Sequence, residues 1–314
     1  MKNIPYIGSG AYCYANSTVM LLASIGEDIS SSLIEVLSGV GLGAFIQKKS
    51  NLIFFSSLTG LPDTGISKAL DILGFGYKEE AKAQSEPAPF EELGRVLKES
   101  PAILGPLDMG FLKYNPDCQH LYGVDHYVLA FSLKDGRVCL HDPAGFPCVF
   151  LSLNQLKKAW KADKVFYSKG FYRYWAFPKR IKTPTEKEIY KKALQFFKSI
   201  YQASEAKATK EKWVIGREAI LTCAKRMQSG KASQDEVGQL IHFALPLGAK
   251  RALDFASFFD FRDGDLAVLK RQQAKLFGKS HTLAVGKDWP SLAKELQKLG
   301  DIEEKFRRIL LGKD

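Results

Sequence analysis

The chain has 314 residues, 46% of them apolar and 25% charged, the profile of a globular protein with room for two domains and a full core. It has no run of 18 apolar residues, which excludes a membrane-spanning helix, and no basic start leading into an apolar stretch with a small-residue cleavage site, as a secretory signal would have. Five cysteines, an odd number in a chain this long, argue against a disulfide framework and for a reducing cytoplasm.

The net charge of +11 is unevenly spread: residues 1–180 hold 19 Lys+Arg and 17 Asp+Glu, and residues 181–314 hold 26 and 17, so +9 sits in the C-terminal part. Solvated faces of amphipathic helices account for such an excess, and an acidic protein partner would suit it. No helix-turn-helix, zinc-finger or aromatic ribonucleoprotein motif accompanies the charge, so nucleic acid is not expected as a partner, and neither is a membrane.

The first predicted helix covers 13–25, where Ala15, Val19 and Leu22 recur at helical spacing with Met20 widening the apolar face. A second, over 30–37, closes on "SGVGLGAF". Residues 51–57, "NLIFFSS", read as a buried strand, and 64–73 and 89–99 as helices. The texture then changes: "PAILGPLD", "HYVLAFSL" and "GRVCLHDP" are β-branched, apolar or aromatic runs, the last two joined across a Lys-Asp-Gly turn. "SLNQLKKAW" reads as a helix capped by Ser152, and "GFYRYWAF" as a last strand. Helices followed by an antiparallel sheet predict an α+β domain over 1–180.

The basic, proline-bearing stretch "PKRIKTPT" marks a boundary, and 181–314 reads as an all-helical bundle. Its helices fall near 185–203, 212–229, 234–243, 247–258, 264–277 and 290–311, the last a candidate for a break at Gly300. Thr185 with Glu188, and Ser233 with Glu236, fit the spacing of a capping box.

Three residues in the first domain carry candidate chemistry. Cys13 follows a Gly-Ser-Gly turn and opens a helix, where free N–H groups and the helix dipole favour a thiolate; a small core residue is the plain alternative. His126 begins one strand and Asp142 ends the next. With a two-residue Asp135-Gly136 loop, paired residue numbers sum to 271 and the two side chains emerge on opposite faces. With a three-residue loop and Gly136 left-handed, the sum is 270, and His126 shares a face with Asp142 one diagonal step away, about 7–8 Å between Cα atoms. Gly136 suits the longer loop, which predicts a pair in which Asp142 holds the imidazole and His126 takes a proton from a thiol. The plain reading makes His126 a satisfied strand-end histidine and Asp142 a turn former before Pro143.

Cys118, His120, Cys139, His141 and Cys148 could be assembled into a zinc site, but the spacing is loose and lacks Cys-x-x-Cys, so no metal is expected. "GVGLGAF" follows a helix rather than a strand and reads as a helix cap and tight turn, not a dinucleotide fingerprint. No segment matches a phosphate-binding P-loop, and no cofactor is expected.

On Cys13, His126 and Asp142, with "AYCYANSTVMLLASIG", "SGVGLGAF", "ILGPLDMGFLKYNP" and "DHYVLAF…VCLHDP", residues 1–180 resemble papain-like proteins of the bacteriocin-leader-peptidase type, and most of all the N-terminal domain of the butirosin-biosynthesis acyltransferase family. The resemblance implies a papain-like domain whose Cys13 is the nucleophile, His126 the base and Asp142 the orienting residue. It further implies an acyl-enzyme formed from a thioester, carried in the butirosin case by an acyl carrier protein, and resolved by a small-molecule amine. An acidic carrier protein would suit the basic C-terminal region. A cysteine peptidase or amidase with the same triad, and a catalytically silent binding protein, are the alternatives. The chain departs from the papain-like pattern in having no glutamine or asparagine between Ile4 and Tyr12 as oxyanion donor. Ser9 and Asn16 are the substitute candidates beside the Cys13 N–H, and Tyr12 and Tyr14 are candidates for a pocket or for packing.

Overall fold

The computed structural model describes residues 4–8, 11–165, 167 and 170–313. In chain order the elements are α1 (Cys13–Ala23), α2 (Ser31–Ser38), β1 (Phe45–Ile46), β2 (Ile53–Phe54), α3 (Pro62–Leu73), β3 (Phe75–Lys82), α4 (Phe90–Glu99), β4 (Ala102–Asp108), β5 (Asp125–Lys134), β6 (Arg137–Asp142), β7 (Phe146–Ser152), α5 (Leu153–Lys161) and β8 (Phe171–Arg180). Six helices follow: α6 (Glu186–Glu211), α7 (Gly216–Gln228), α8 (Gln234–Gln239), α9 (Leu245–Phe259), α10 (Gly264–Val285) and α11 (Trp289–Leu311), with a π-helical turn over Leu240–Ala244 joining α8 to α9. Two units form, one from residues 1–34 and 62–185 and the other from 35–61 and 186–314.

The first unit is α+β, built on an antiparallel six-stranded sheet of order β3-β8-β4-β5-β6-β7. Even-numbered residues of the central strands, Leu104, Val128, Ala130, Val138 and Leu140, bury against Leu93 and Val96 of α4 and Leu156, Ala159 and Trp160 of α5. Ser152 caps α5 in a full capping box with Gln155, as its position before "LNQLKKAW" predicts. α1 lies against β5: the Ser17 hydroxyl donates to the Tyr127 carbonyl at 3.2 Å, and the Tyr14 ring meets the Tyr127 ring edge-on at 6.0 Å.

In this sheet two strands went unpredicted, and both are edges. β3, "FGYKEEAK", is charged where a strand is expected to be apolar; Lys78 and Lys82 pair with Glu92 of α4, and Arg173 of β8 with Glu79. Charged side chains protect an exposed strand edge and hide it from a pattern search. β7 carries Pro147 and a left-handed Cys148, both tolerated at an edge.

The second unit is helical over 186–311, as expected for 181–314, and adds the two-residue strands β1 and β2 from residues 45–54. Its first piece, 35–61, departs from a single boundary at 180. Gly39 ends α2 with φ +68°, and a Cβ there would sit 2.3 Å from Ile200 of α6. The "GVGLGAF" loop is therefore a helix cap closely packed on α6. Ser57 and Thr59 hydrogen-bond to Ser204 of α6 at 3.2 and 2.8 Å, and Arg251 of α9 donates to Glu35 at 2.7 Å and to the Phe55 carbonyl at 3.1 Å. The capping box of Ser233 and Glu236 forms. α11 runs unbroken through Gly300, where a Cβ would meet Arg217 and Ile220 of α7 in ordinary contact at 3.4 to 3.7 Å.

Candidate active site

The register of β5 and β6 decides whether His126 and Asp142 meet. At the turn, Lys134 pairs with Arg137 and Leu133 with Val138, sums of 271, so the loop is Asp135-Gly136 alone. Both loop residues have positive φ, +51° and +70°, the two-residue turn whose twist fits a hairpin. The three-residue turn predicted from Gly136 is therefore wrong. A bulge between Ala130 and Ser132 restores the expected sum: Ala130 pairs with Leu140 and Leu129 with His141, both 270. One extra residue in mid-strand has the same effect on parity as one extra residue in the turn. His126 and Asp142 consequently share a face, and His126 Nε2 lies 2.5 Å from Asp142 Oδ1.

Asp142 is fully buried, and its carboxylate has three donors. Oδ1 receives His126 Nε2 and, at 2.7 Å, the N–H of Ala144; Oδ2 receives the Tyr114 hydroxyl at 2.8 Å. The Ala144 bond is the Asx turn expected of an aspartate before Pro143, so turn forming and histidine binding belong to one side chain. The Tyr6 hydroxyl donates to the Asp142 carbonyl at 2.9 Å and accepts from the Gly145 N–H at 3.0 Å, holding the same turn from the N-terminal segment.

Burial opposes charge on both partners, and their mutual attraction outweighs it. Desolvation disfavours the His126 imidazolium, but the Asp142 charge, the hydrogen bond to it and the Cys13 side chain together hold His126 well above its ordinary 6.5. Desolvation likewise opposes the Asp142 carboxylate, yet the His126 charge, with the Ala144 N–H and the Tyr114 hydroxyl, holds it below the usual range.

Cys13 is the first residue of α1 and is only partly buried. Its side chain lies near enough to the His126 ring to help hold that ring's pKa up. Since Nε2 serves Asp142, Nδ1 is the nitrogen left for the thiol. Tyr12 before it holds a left-handed backbone, φ +67° and ψ +40°, and caps the helix without a side-chain bond. A non-glycine residue there is strained, and such strain gathers where a neighbour must be aimed. The Cys13 N–H, at the open start of the helix, is one oxyanion donor the geometry offers. The Asn16 amide is turned back, donating to the Ala11 carbonyl at 3.0 Å, and so braces the turn ahead of Cys13. Tyr12 and Tyr14 are both buried, with Tyr14 packed on Tyr127. Ser9 lies outside the described residues.

Tyr114 was not among the predicted site residues. It sits in "ILGPLDMGFLKYNP", in a loop without periodicity, and no sequence signal aims it at Asp142. The loop is folded by Asp108, whose Oδ1 accepts from Gly110 at 2.9 Å and Gly123 at 3.0 Å, closing both ends. His141 faces away from the Cys13 site; its Nδ1 accepts from the Cys148 N–H at 3.1 Å, and burial lowers its pKa. Among the described residues no three His, Cys, Asp or Glu side chains gather as metal ligands, and no helix is long and apolar enough to cross a membrane.

Residues 210–311 match the family described as the YobF C-terminal domain. Among solved structures, the peptidase domain of Streptococcus ComA, a bi-functional ABC transporter involved in a quorum sensing pathway, is similar over 58% of this chain and all of that one, at 12% identity and a TM-score of 0.36. The uncharacterized protein YobF of Bacillus subtilis (strain 168) is 45% identical over 306 residues, 98% of each chain. With that identity along nearly its whole length, the chain belongs to the YobF family.

Proposed function

We propose that this protein is a cysteine-nucleophile enzyme that transfers an acyl or aminoacyl group from a thioester to an amine or alcohol. One observation carries the reading: the His126 ring is bonded at Nε2 to a buried carboxylate 2.5 Å away, while a partly exposed cysteine at a helix start lies near enough to help raise that ring's pKa. The chain order, a helix cysteine, then a strand histidine, then a strand-end aspartate, is that of a papain-like domain.

In this reading His126 Nδ1 takes the Cys13 proton, and the thiolate attacks the acyl carbonyl. The developing oxyanion faces the Cys13 N–H. The tetrahedral adduct collapses, the leaving thiolate takes the proton from His126, and an acyl-Cys13 remains. An amine or alcohol then attacks that carbonyl, gives its proton to His126, and releases the Cys13 thiolate. Asp142 holds the ring and stays ionised throughout. The +9 charge of residues 181–314 suits an acidic carrier protein as the thioester's bearer.

The test is product analysis with acyl thioesters of N-acetylcysteamine and a panel of small amines. Amide that forms in a Cys13-dependent manner, faster than free acid, is expected. Free acid alone would assign a hydrolase, the amidase or peptidase alternative. Neither product, with thioesters of several chain lengths, would favour a silent binding protein.

A further inference from the structure

The Asp142 carboxylate has a partner that the acyl-transfer scheme does not use. The Tyr114 hydroxyl meets Oδ2 at 2.8 Å, on the oxygen opposite the one that holds His126. The tyrosine's position is built rather than incidental. Its loop is clamped at both ends by Asp108, its ring packs against Phe146 of β7 at 5.7 Å, and Phe146 is the residue paired with Asp142. Burial and the adjacent carboxylate push the phenol well above its ordinary value, so it remains a donor across the working pH range.

We propose that Tyr114 is a positioning residue of this site, fixing which way the Asp142 carboxylate faces and how much of its charge reaches His126. The proposal rests on the reading of Cys13, His126 and Asp142 as one reacting unit. The physical argument concerns both orientation and charge. A carboxylate pinned at Oδ2 by Tyr114 and at Oδ1 by Ala144 cannot swing away when His126 is neutral. The ring therefore keeps its Nε2–H on Asp142 and its Nδ1 toward Cys13 through the cycle. Each donor also draws charge from the carboxylate, and with less charge opposite it the imidazolium releases its proton more readily. Of the other ionisable groups nearby, Cys13 acts on the ring itself, Tyr6 serves the Asp142 backbone carbonyl, the Asp125 carboxylate accepts from Tyr167 at 2.6 Å, and Tyr127, raised by burial and by Asp63, Asp125 and Cys13, meets the Tyr167 hydroxyl at 3.1 Å.

Tyr114→Phe keeps the ring and its packing on Phe146 while removing the donor. Left with one oxygen unsatisfied in a buried place, the carboxylate becomes more basic, and the histidine–aspartate pair holds its proton to higher pH. The experiment follows the His126 ring by NMR of imidazole-labelled full-length protein, alongside the pH dependence of Cys13 carboxymethylation by iodoacetate. In Tyr114→Phe the histidine titration and the upper limb of the alkylation profile, where the imidazolium is lost, both move up by about half to one pH unit. Fluorinated tyrosine at position 114, a stronger donor, moves both downward and serves should the phenylalanine variant fold poorly. Superimposable wild-type and variant titrations, or shifts of one sign for both substitutions, would overturn the proposal. A shifted histidine titration, in a protein whose Cys13 alkylates no faster than a free thiol, would uphold the role of Tyr114 toward His126 and count instead against the acyl-transfer reading.

Discussion

The two units each bury a carboxylate beneath a tyrosine and beside a cation, and the pair of sites separates structural from chemical burial. In the first unit Asp142 takes Tyr114, His126 and a backbone N–H. In the second, Glu303 takes the Tyr201 hydroxyl at 2.7 Å and the Gln273 amide at 2.7 Å, with the Lys270 ammonium at 3.9 Å. The difference lies in the cation and in what stands beyond it. Lys270 is buried and lies 3.9 Å over the Phe306 ring, with Phe255 on another side; no thiol or hydroxyl nucleophile adjoins it among the groups described. His126 keeps a second ring nitrogen, and the partly exposed Cys13, the proposed nucleophile, helps raise its pKa. Burying a paired charge is therefore no sign of a reaction site; a titratable relay with a nucleophile at its outer end is.

That contrast can be broken in four ways, taken from the largest expected effect downward. Glu303→Ala strands Lys270 without its counter-charge in an apolar surround, and chemical denaturation is expected to show a loss of about 3–5 kcal/mol. A loss under about 1 kcal/mol would mean that the helical cluster is not the structural pair described. His126→Ala leaves Cys13 an ordinary thiol, so its alkylation near pH 6 is expected to slow by about a hundredfold, read by peptide mass spectrometry. Unchanged reactivity would dissolve the relay.

The two cations should also give stability slopes of opposite sign. His126 is raised above its ordinary 6.5, so its contribution is complete below about that pH and is lost as pH climbs through the folded value. Lys270 is lowered by burial beneath its ordinary 10.5, so the unfolded chain binds the extra proton and stability rises as pH climbs from the folded value toward 10.5. Denaturation midpoints of His126→Gln and Lys270→Met, each subtracted from wild type across pH 6 to 10, are expected to fall in the first case and rise in the second. The smallest effect belongs to the hairpin turn: Gly136→Ala puts a Cβ at φ +70° in open space, for about 1 kcal/mol of stability. Because the bulge and not the turn sets the parity, Cys13 reactivity should survive that change.

Much of the α+β unit was legible because its central strands are apolar and its helices show a cap or an apolar face: Ser152 announced α5, and the apolar spacing after Cys13 announced α1. The edges were not, since β3 is held by ion pairs and β7 by a proline-bearing hairpin, neither of which leaves an alternating apolar pattern. The pairing of His126 with Asp142 followed from parity, but for the wrong local reason. A bulge at Phe131 has no composition signal comparable with a glycine in a turn. Tyr114 and the left-handed Tyr12 were invisible, because a loop's return path and a strained backbone angle are decided by tertiary contacts. The placement of 35–61 with the helical unit was hidden for the same reason: the hydroxyls of Ser57 and Thr59 find Ser204 nearly 150 positions along the chain.

The central claim is that His126, backed by Asp142, arms Cys13 toward an acyl carbonyl. Intact-protein mass spectrometry tests it most directly, after brief incubation with acyl thioesters and a rapid acid quench, on wild type, Cys13→Ala and His126→Ala. The account predicts a mass increase of one acyl group in wild type, mapped to Cys13, absent in Cys13→Ala and strongly reduced in His126→Ala. Equal labelling of all three proteins, or labelling of wild type at another residue alone, would contradict it.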